Sequence, residues 1–415
     1  MLRLVFPILS LLVSVAFLLA GGGLLSTLLA MRGGVEGFDE LTLGLIMSGY
    51  FVGFFLGTFV APLLIRRVGH IRAFAFYAAL AAITVLLYPL WVHPVAWALL
   101  RVVTGLAVVG LCTVIESWLN SQALPGQRSR IFAVYMVVSL LALASGQLLL
   151  DLQPPQSFVL FSVVAILISL AALPVAFTLL PQPAMLPAPR SNIWQIAGMA
   201  PSAAIGAVLS GLMLGAFWGM GPVYALESGL DRSGVGLFMT VTICGGAALQ
   251  FPIGRFSDRG DRRTTLAAVS AAAAGIALLA AVLSPGPGAL LFVMYFLFGG
   301  LAFALYPLCV AQLLDQLPAE ALLSGCSALL LLNGIGAALG PVAAGFLMQR
   351  LGPDSLPAFF ALAAGLLAVV TSGRRLFRAR QIFHHARFHP MLRTTPAALE
   401  LLPDIPVQPP EGQSP

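Results

Sequence analysis

Gly254-Arg255-Phe256-Ser257-Asp258-Arg259-Gly260-Asp261-Arg262-Arg263 is the stretch on which the fold turns. Six of its ten residues are charged, yet it joins two apolar runs, 234–256 and 265–284. Each run is long enough to cross a bilayer, which takes about 20 residues in a helix. A knot of arginines between two such runs reads as a tight loop at a membrane surface. A related stretch lies 192 positions earlier: Pro62-Leu63-Leu64-Ile65-Arg66-Arg67-Val68-Gly69-His70-Ile71-Arg72, again between apolar runs. Gly110-Leu111 and Gly300-Leu301 repeat at an offset of 190. A weak repeat with six spans per copy keeps both copies in one orientation, as in transporters whose halves are related by an axis along the membrane normal.

The rest of the chain supports this reading. Hydrophobic residues make up 60% and charged residues 9%, with a mean hydropathy of +1.00. A soluble domain carries about 25% charged residues, so a water-soluble globule and a disordered chain are both excluded. Apolar runs delimit twelve spans: 4–31, 41–65, 73–91, 95–119, 131–150, 158–180, 199–226, 234–256, 265–284, 288–314, 324–348 and 356–376. The first run is too long for the core of a signal peptide and is read as an uncleaved helix. The expected class is an all-α polytopic membrane protein with twelve transmembrane helices in two pseudo-symmetric six-helix bundles. Its expected units are a first bundle over 1–180, a cytoplasmic Pro-rich linker over 181–198, a second bundle over 199–377 and a cytoplasmic tail, 378–415, without fixed structure.

All 21 basic residues are Arg, and their placement orients the chain. With Arg3 on the cytoplasmic side, 17 of the 21 fall on that side; Arg32, Arg232 and Arg350 fall opposite and Arg101 lies within a span. By the positive-inside rule both termini are cytoplasmic. The net charge of +6 is therefore a topology signal, and no nucleic-acid partner is expected. Cys112, Cys244, Cys309 and Cys326 lie far apart within spans and read as core fillers. A chain without Lys has no Walker phosphate loop, so ATP is not its fuel. No cofactor and no metal are expected; His384, His385 and His389 read as part of a basic membrane-surface stretch.

On its loop motifs the chain resembles the major facilitator superfamily over residues 1–378. The pattern Gly-x-x-x-Asp-Arg-x-Gly-x-Arg/Lys-Arg/Lys recurs at Gly254–Arg263, with Asp261 at the second Gly position. The first copy departs further, with Pro62 for Gly and Arg66 for Asp, while Arg67, Gly69 and Arg72 fit. Arg101-x-x-Thr104-Gly105 resembles the family's fourth span, and Ile65–Arg72, Glu116–Asn120 and Tyr306–Val310 resemble the YcaD-type bacterial branch. The resemblance implies a cytoplasmic gate built from Arg66, Arg67, Arg72, Gly254, Asp258, Arg259, Arg262 and Arg263. It also implies that spans 2 and 11 meet across the halves. The Gly-Pro-x-x-Gly-Gly signature of drug antiporters is missing from span 5; a Gly340-Pro341 step stands in span 11 instead.

Charges inside spans are costly and mark function by default. Arg101, Gly105, Val108, Cys112 and Glu116 fall on one helical stripe. Arg101 reads as a substrate or gate residue, against a snorkelling residue that points outward. Glu116 reads as a proton carrier, against a structural acid paired with Arg66 or Arg67. Tyr306, Gln147, Trp218 and Asn333 are polar or aromatic candidates for a midplane cavity, against ordinary core positions. Gly49, Gly53 and Gly57, and Asn333, Gly336, Gly340 and Gly345, mark close helix seams. The expected function is a secondary active transporter of the inner membrane, not an enzyme, that moves a small molecule by alternating access with proton coupling, as a monomer in the lipid bilayer. A sensor or assembly factor on the same fold, or an uncoupled facilitator, is the alternative. No ring of charges announces the substrate.

Overall fold

Helix boundaries follow local chemistry. In the computed structural model, which describes residues 8–123, 127–177, 183, 198–317, 321–377, 388–391 and 395–399, the twelve expected spans are twelve helices. They are α1 (Leu9–Val35), α2 (Glu40–Val68), α3 (His70–Leu87), α4 (Pro94–Gln122), α5 (Arg128–Leu148) and α6 (Phe158–Ala176). The second six are α7 (Pro201–Glu227), α8 (Arg232–Arg259), α9 (Arg262–Leu283), α10 (Ala289–Leu314), α11 (Leu322–Leu351) and α12 (Ser355–Phe377). All are long and apolar enough to cross a membrane, which makes this a multi-pass membrane protein. Asp39 starts α2 by accepting from Thr42 N at 3.2 Å, and Asp231 starts α8 by accepting from Gly234 N at 2.8 Å.

The two loop motifs solve the same corner in different ways. Between α2 and α3 a single residue, Gly69, turns the chain at φ 85°, a region in which a side chain is strained. At the equivalent corner Asp261 sits at φ −71°, where a Cβ is welcome, and its carboxylate caps α9 through Arg263 N at 3.2 Å. An aspartate replaces the motif glycine because this corner is extended rather than left-handed.

Glycine seams hold each half together, and they obey the repeat. A Cβ at Gly53 would strike Val102 O of α4, and one at Gly245 would strike Phe296 O of α10. Gly105 and Gly299 return the contact against Tyr50 O and Thr242 O. The stripe of Gly49, Gly53 and Gly57 therefore packs on α4 within the first half, not on α11 across the halves. Likewise Gly336 and Gly340 face Val208 and Leu212 of α7.

Of the seam glycines marked in the sequence, only Gly345 takes part in the expected meeting of α2 with α11. Gly44 lies on Pro341 O, Gly345 lies on Glu40 O, and Ser48 Oγ donates to Ala338 O. The pseudo-symmetric pair α5 and α8 meets where Gly236 approaches Gln147 O and Thr240 Oγ1 donates to Ala144 O at 3.2 Å. These cross-half contacts lie towards the end away from the motif loops, where Gln349 Nε2 also donates to Asp39 at 2.5 Å and Ser233 Oγ to Asp151 at 2.8 Å.

Residues 388–391 and 395–399 of the expected tail are packed, which the sequence does not lead one to expect. Phe388, His389, Met391, Thr395 and Ala398 are buried, and Pro396–Leu399 form a helical turn packed on α4 and α11. Apolar and hydrogen-bonding groups in this polar-looking stretch meet partners only in three dimensions. Apart from Pro183 and Gly198, the expected linker lies outside the described residues.

Candidate functional site

One face of α4 builds the wall of a central cavity. Arg101, Thr104, Val108 and Cys112 line it, with Ser26 of α1, Tyr50 and Phe54 of α2, Tyr135 and Ser139 of α5, and Trp218 of α7. It encloses about 1080 Å³ of atom-free space, part of it open to solvent. The stripe read from the sequence thus faces the cavity at Arg101, Val108 and Cys112. Gly105 is turned away, against Tyr50 O of α2, and Thr104 takes its place.

Arg101 points inward and is 3% exposed, so it does not snorkel. Its guanidinium lies 4.9 Å from the centre of the Tyr50 ring, and Nη2 reaches Ser26 Oγ at 3.5 Å and Met47 Sδ at 3.4 Å. Nε has no hydrogen-bond partner, and no carboxylate among the described residues pairs with the group. Gly49 makes room for it: a Cβ there would press on the Arg101 side chain at 3.2 Å. A full positive charge is held in a mostly apolar cavity by one aromatic face and weak neutral contacts.

Glu116 lies one turn beyond Cys112, fully buried below the cavity. It pairs with neither Arg66 nor Arg67, both of which are exposed. Instead Tyr135 Oη donates to Oε1 at 2.7 Å, Thr395 N donates to Oε2 at 2.9 Å, and Thr395 Oγ1 donates to the same oxygen. Tyr135 both lines the cavity and touches Glu116, so it links the two.

The other candidates divide. Trp218 lines the cavity from the second half, packed edge-on against Phe303. Gln147 clamps α5 to α1, accepting from Thr27 Oγ1 at 2.6 Å and donating to Gly23 O at 3.1 Å. Asn333 clamps α11 to α7 through Ala207 O and Ser210 Oγ, and borders a small cross-half groove beside Phe51 and Phe54. Tyr306 is buried outside the cavity with its hydroxyl unpartnered among the described residues. Four of the six pathway residues, Glu116, Gln147, Asn333 and Tyr306, are therefore in other places than the cavity wall.

At the motif end Arg262, 8% exposed, binds Asp258 at 3.2 Å and Asp315 at 2.6 Å, tying α8, α9 and α10. A guanidinium with two carboxylates forms charge-assisted bonds stronger than neutral ones. Asp258 also accepts from Phe388 N at 2.8 Å. Gly254 lies under the Phe388 ring, while Arg72 and Arg259 are exposed and Arg263 is half-buried. Reading the sequence missed Asp315, Tyr135 and Thr395. Asp315, the first acid past the last apolar residue of α10, was the one with a visible signal.

Comparison with known proteins gives the context. A family model described as Major Facilitator Superfamily matches residues 203–385. An uncharacterized MFS-type transporter of Enterobacter sp. (strain 638) is 28% identical over 346 residues, 83% of this chain and 89% of that protein. The uncharacterized MFS-type transporter YcaD of Escherichia fergusonii is 27% identical with the same coverage. Among solved structures, the nucleoside transporter NupG superposes with a TM-score of 0.75 at 14% identity, over 90% of this chain and 100% of that one. A bacterial homolog of the human lysosomal transporter Spinster, inward-facing and unoccupied, gives 0.68 at 15% identity over 96% of each chain. The resemblance read from the loop motifs holds, including its YcaD-type branch; the fold is that of the structural neighbours, and the relatives support a transporter.

Proposed function

From a chain with the major facilitator fold and a likeness to YcaD-type transporters, we propose a secondary active transporter that carries a small organic anion by alternating access. The observation that supports the substrate class is the uncompensated Arg101. Burying an unpaired charge costs several kcal/mol, and the described cavity wall around it offers aromatic rings, hydroxyls, sulfur and apolar carbons but no carboxylate. A ligand with one carboxylate and an apolar or aromatic body relieves that cost through Arg101 and stacks on Tyr50 or Trp218. With both halves in contact at the end away from the motif loops, the motif end is the side at which they part to exchange substrate. The arginine bias puts that end in the cytoplasm of a cell whose inner membrane holds the protein as a monomer. Protons supply the driving force, with Glu116 as the carrier.

The test is ligand binding by purified protein, followed through Trp218 fluorescence. Acetate, benzoate and indole-3-acetate are compared with their neutral amides. A charge-assisted hydrogen bond contributes about 1.5–3 kcal/mol. Arg101→Gln should therefore weaken acid binding by roughly ten- to a hundredfold and leave the amides unchanged. Equal binding of acids and amides by the wild type, or no effect of Arg101→Gln on the acids, overturns the anion reading.

A further inference from the structure

The end of the molecule where the two halves are not joined helix to helix by the contacts described above carries a different connection. Thr395 holds Glu116 of α4, in the first half, with its backbone N–H and its hydroxyl. Phe388 donates its N–H to Asp258 of α8, in the second half, and lays its ring on Gly254. Between these points His389 meets the Phe132 ring of α5 at 6.5 Å, and the turn Pro396–Leu399 packs on both α4 and α11. Residues 388–391 and 395–399 thus touch both halves just beyond Cys112 and Tyr135, the cavity residues nearest this end.

We propose that residues 388–391 and 395–399 form a latch that closes the cavity at the motif end, with Glu116 and Asp258 as its anchoring carboxylates. Four observations converge on this. Both anchors accept backbone N–H groups of the tail, a bond that any sequence can make but that requires the chain to be at that place. The Phe388 ring fits because Gly254 has no side chain; a Cβ would collide with it. Thr395 and Ala398 are fully buried, so the contact excludes water from Glu116. Pro396 follows Thr395 and begins the turn, a position where its missing N–H costs nothing. Releasing the latch opens the cavity and uncovers Glu116 in a single event. Substrate exchange and proton access at this end are then controlled by the chain's own C-terminal segment.

Cys112 reports the latch without any knowledge of the substrate. It lines the cavity immediately above Glu116. Alkylation by N-ethylmaleimide is followed by peptide mass spectrometry in nanodiscs for the full chain, a chain ending at Arg387, Thr395→Val and Gly254→Leu. Truncation should speed Cys112 modification roughly tenfold, and each point variant should move it in the same direction, as expected when a local closed state is lost. Cys309 and Cys326 are buried in the second half and report global unfolding. If the truncated chain exposes them, Thr395→Val and Gly254→Leu decide the matter. Equal Cys112 rates in the full chain and in every variant that keeps Cys309 and Cys326 protected overturn the latch. That result would leave anion binding at Arg101 standing, and failure of anion binding would leave the latch standing.

Discussion

Glu116 shows how much a single residue depends on its neighbours. Its sequence position allows a proton carrier or a partner for the arginines of the first loop, and the structure removes the second option. All of its named contacts are donors: Tyr135 Oη, Thr395 N and Thr395 Oγ1. As a carrier it must exchange these donors for a proton, which it can do only after Thr395 leaves. Glu116→Gln separates the roles in proteoliposomes. The variant should lose accumulation driven by a pH gradient and keep substrate exchange at equal pH, because exchange need not release the proton. Wild-type accumulation by Glu116→Gln places proton coupling on another group.

At the scale of the helix, glycine spacing carries the architecture. The pairs Gly53 with Val102 O and Gly245 with Phe296 O are backbone-to-backbone contacts that no rotamer change can relieve. Forcing a side chain into a packed seam costs about 1–3 kcal/mol. Gly53→Val and Gly245→Val should each lower the melting temperature of the purified protein. Gly275→Ala, on α9 with open space around the added methyl, should be neutral or slightly stabilising, because alanine is the better helix former. Equal melting temperatures for the three variants would remove the seams from the account. Spacing alone marked Gly49, Gly53 and Gly57 as a seam but could not say against which helix. A four-residue repeat defines a face of one helix and contains no information on the neighbour that occupies it.

Over the whole molecule, the arginine bias predicts cytoplasmic termini. A single cysteine placed at position 405 should react with an impermeant maleimide only after the membrane is opened. Labelling in intact cells would reverse the orientation and move the latch to the outer face.

Twelve spans, the repeat of about 190 residues and the superfamily resemblance were all legible in the chain, because hydropathy and charge are local properties that lipid reads directly. So was the importance of Arg101, since an ion in an apolar run has a cost wherever the helix goes. Partners were not legible. Gln147 and Asn333 looked like cavity residues and are clamps between helices, because a buried amide serves whichever carbonyl or hydroxyl lies opposite it. Thr395 stands 279 residues from Glu116, in a stretch whose composition argues for disorder. Its burial depends on a gap between two bundles that exists only once both have packed.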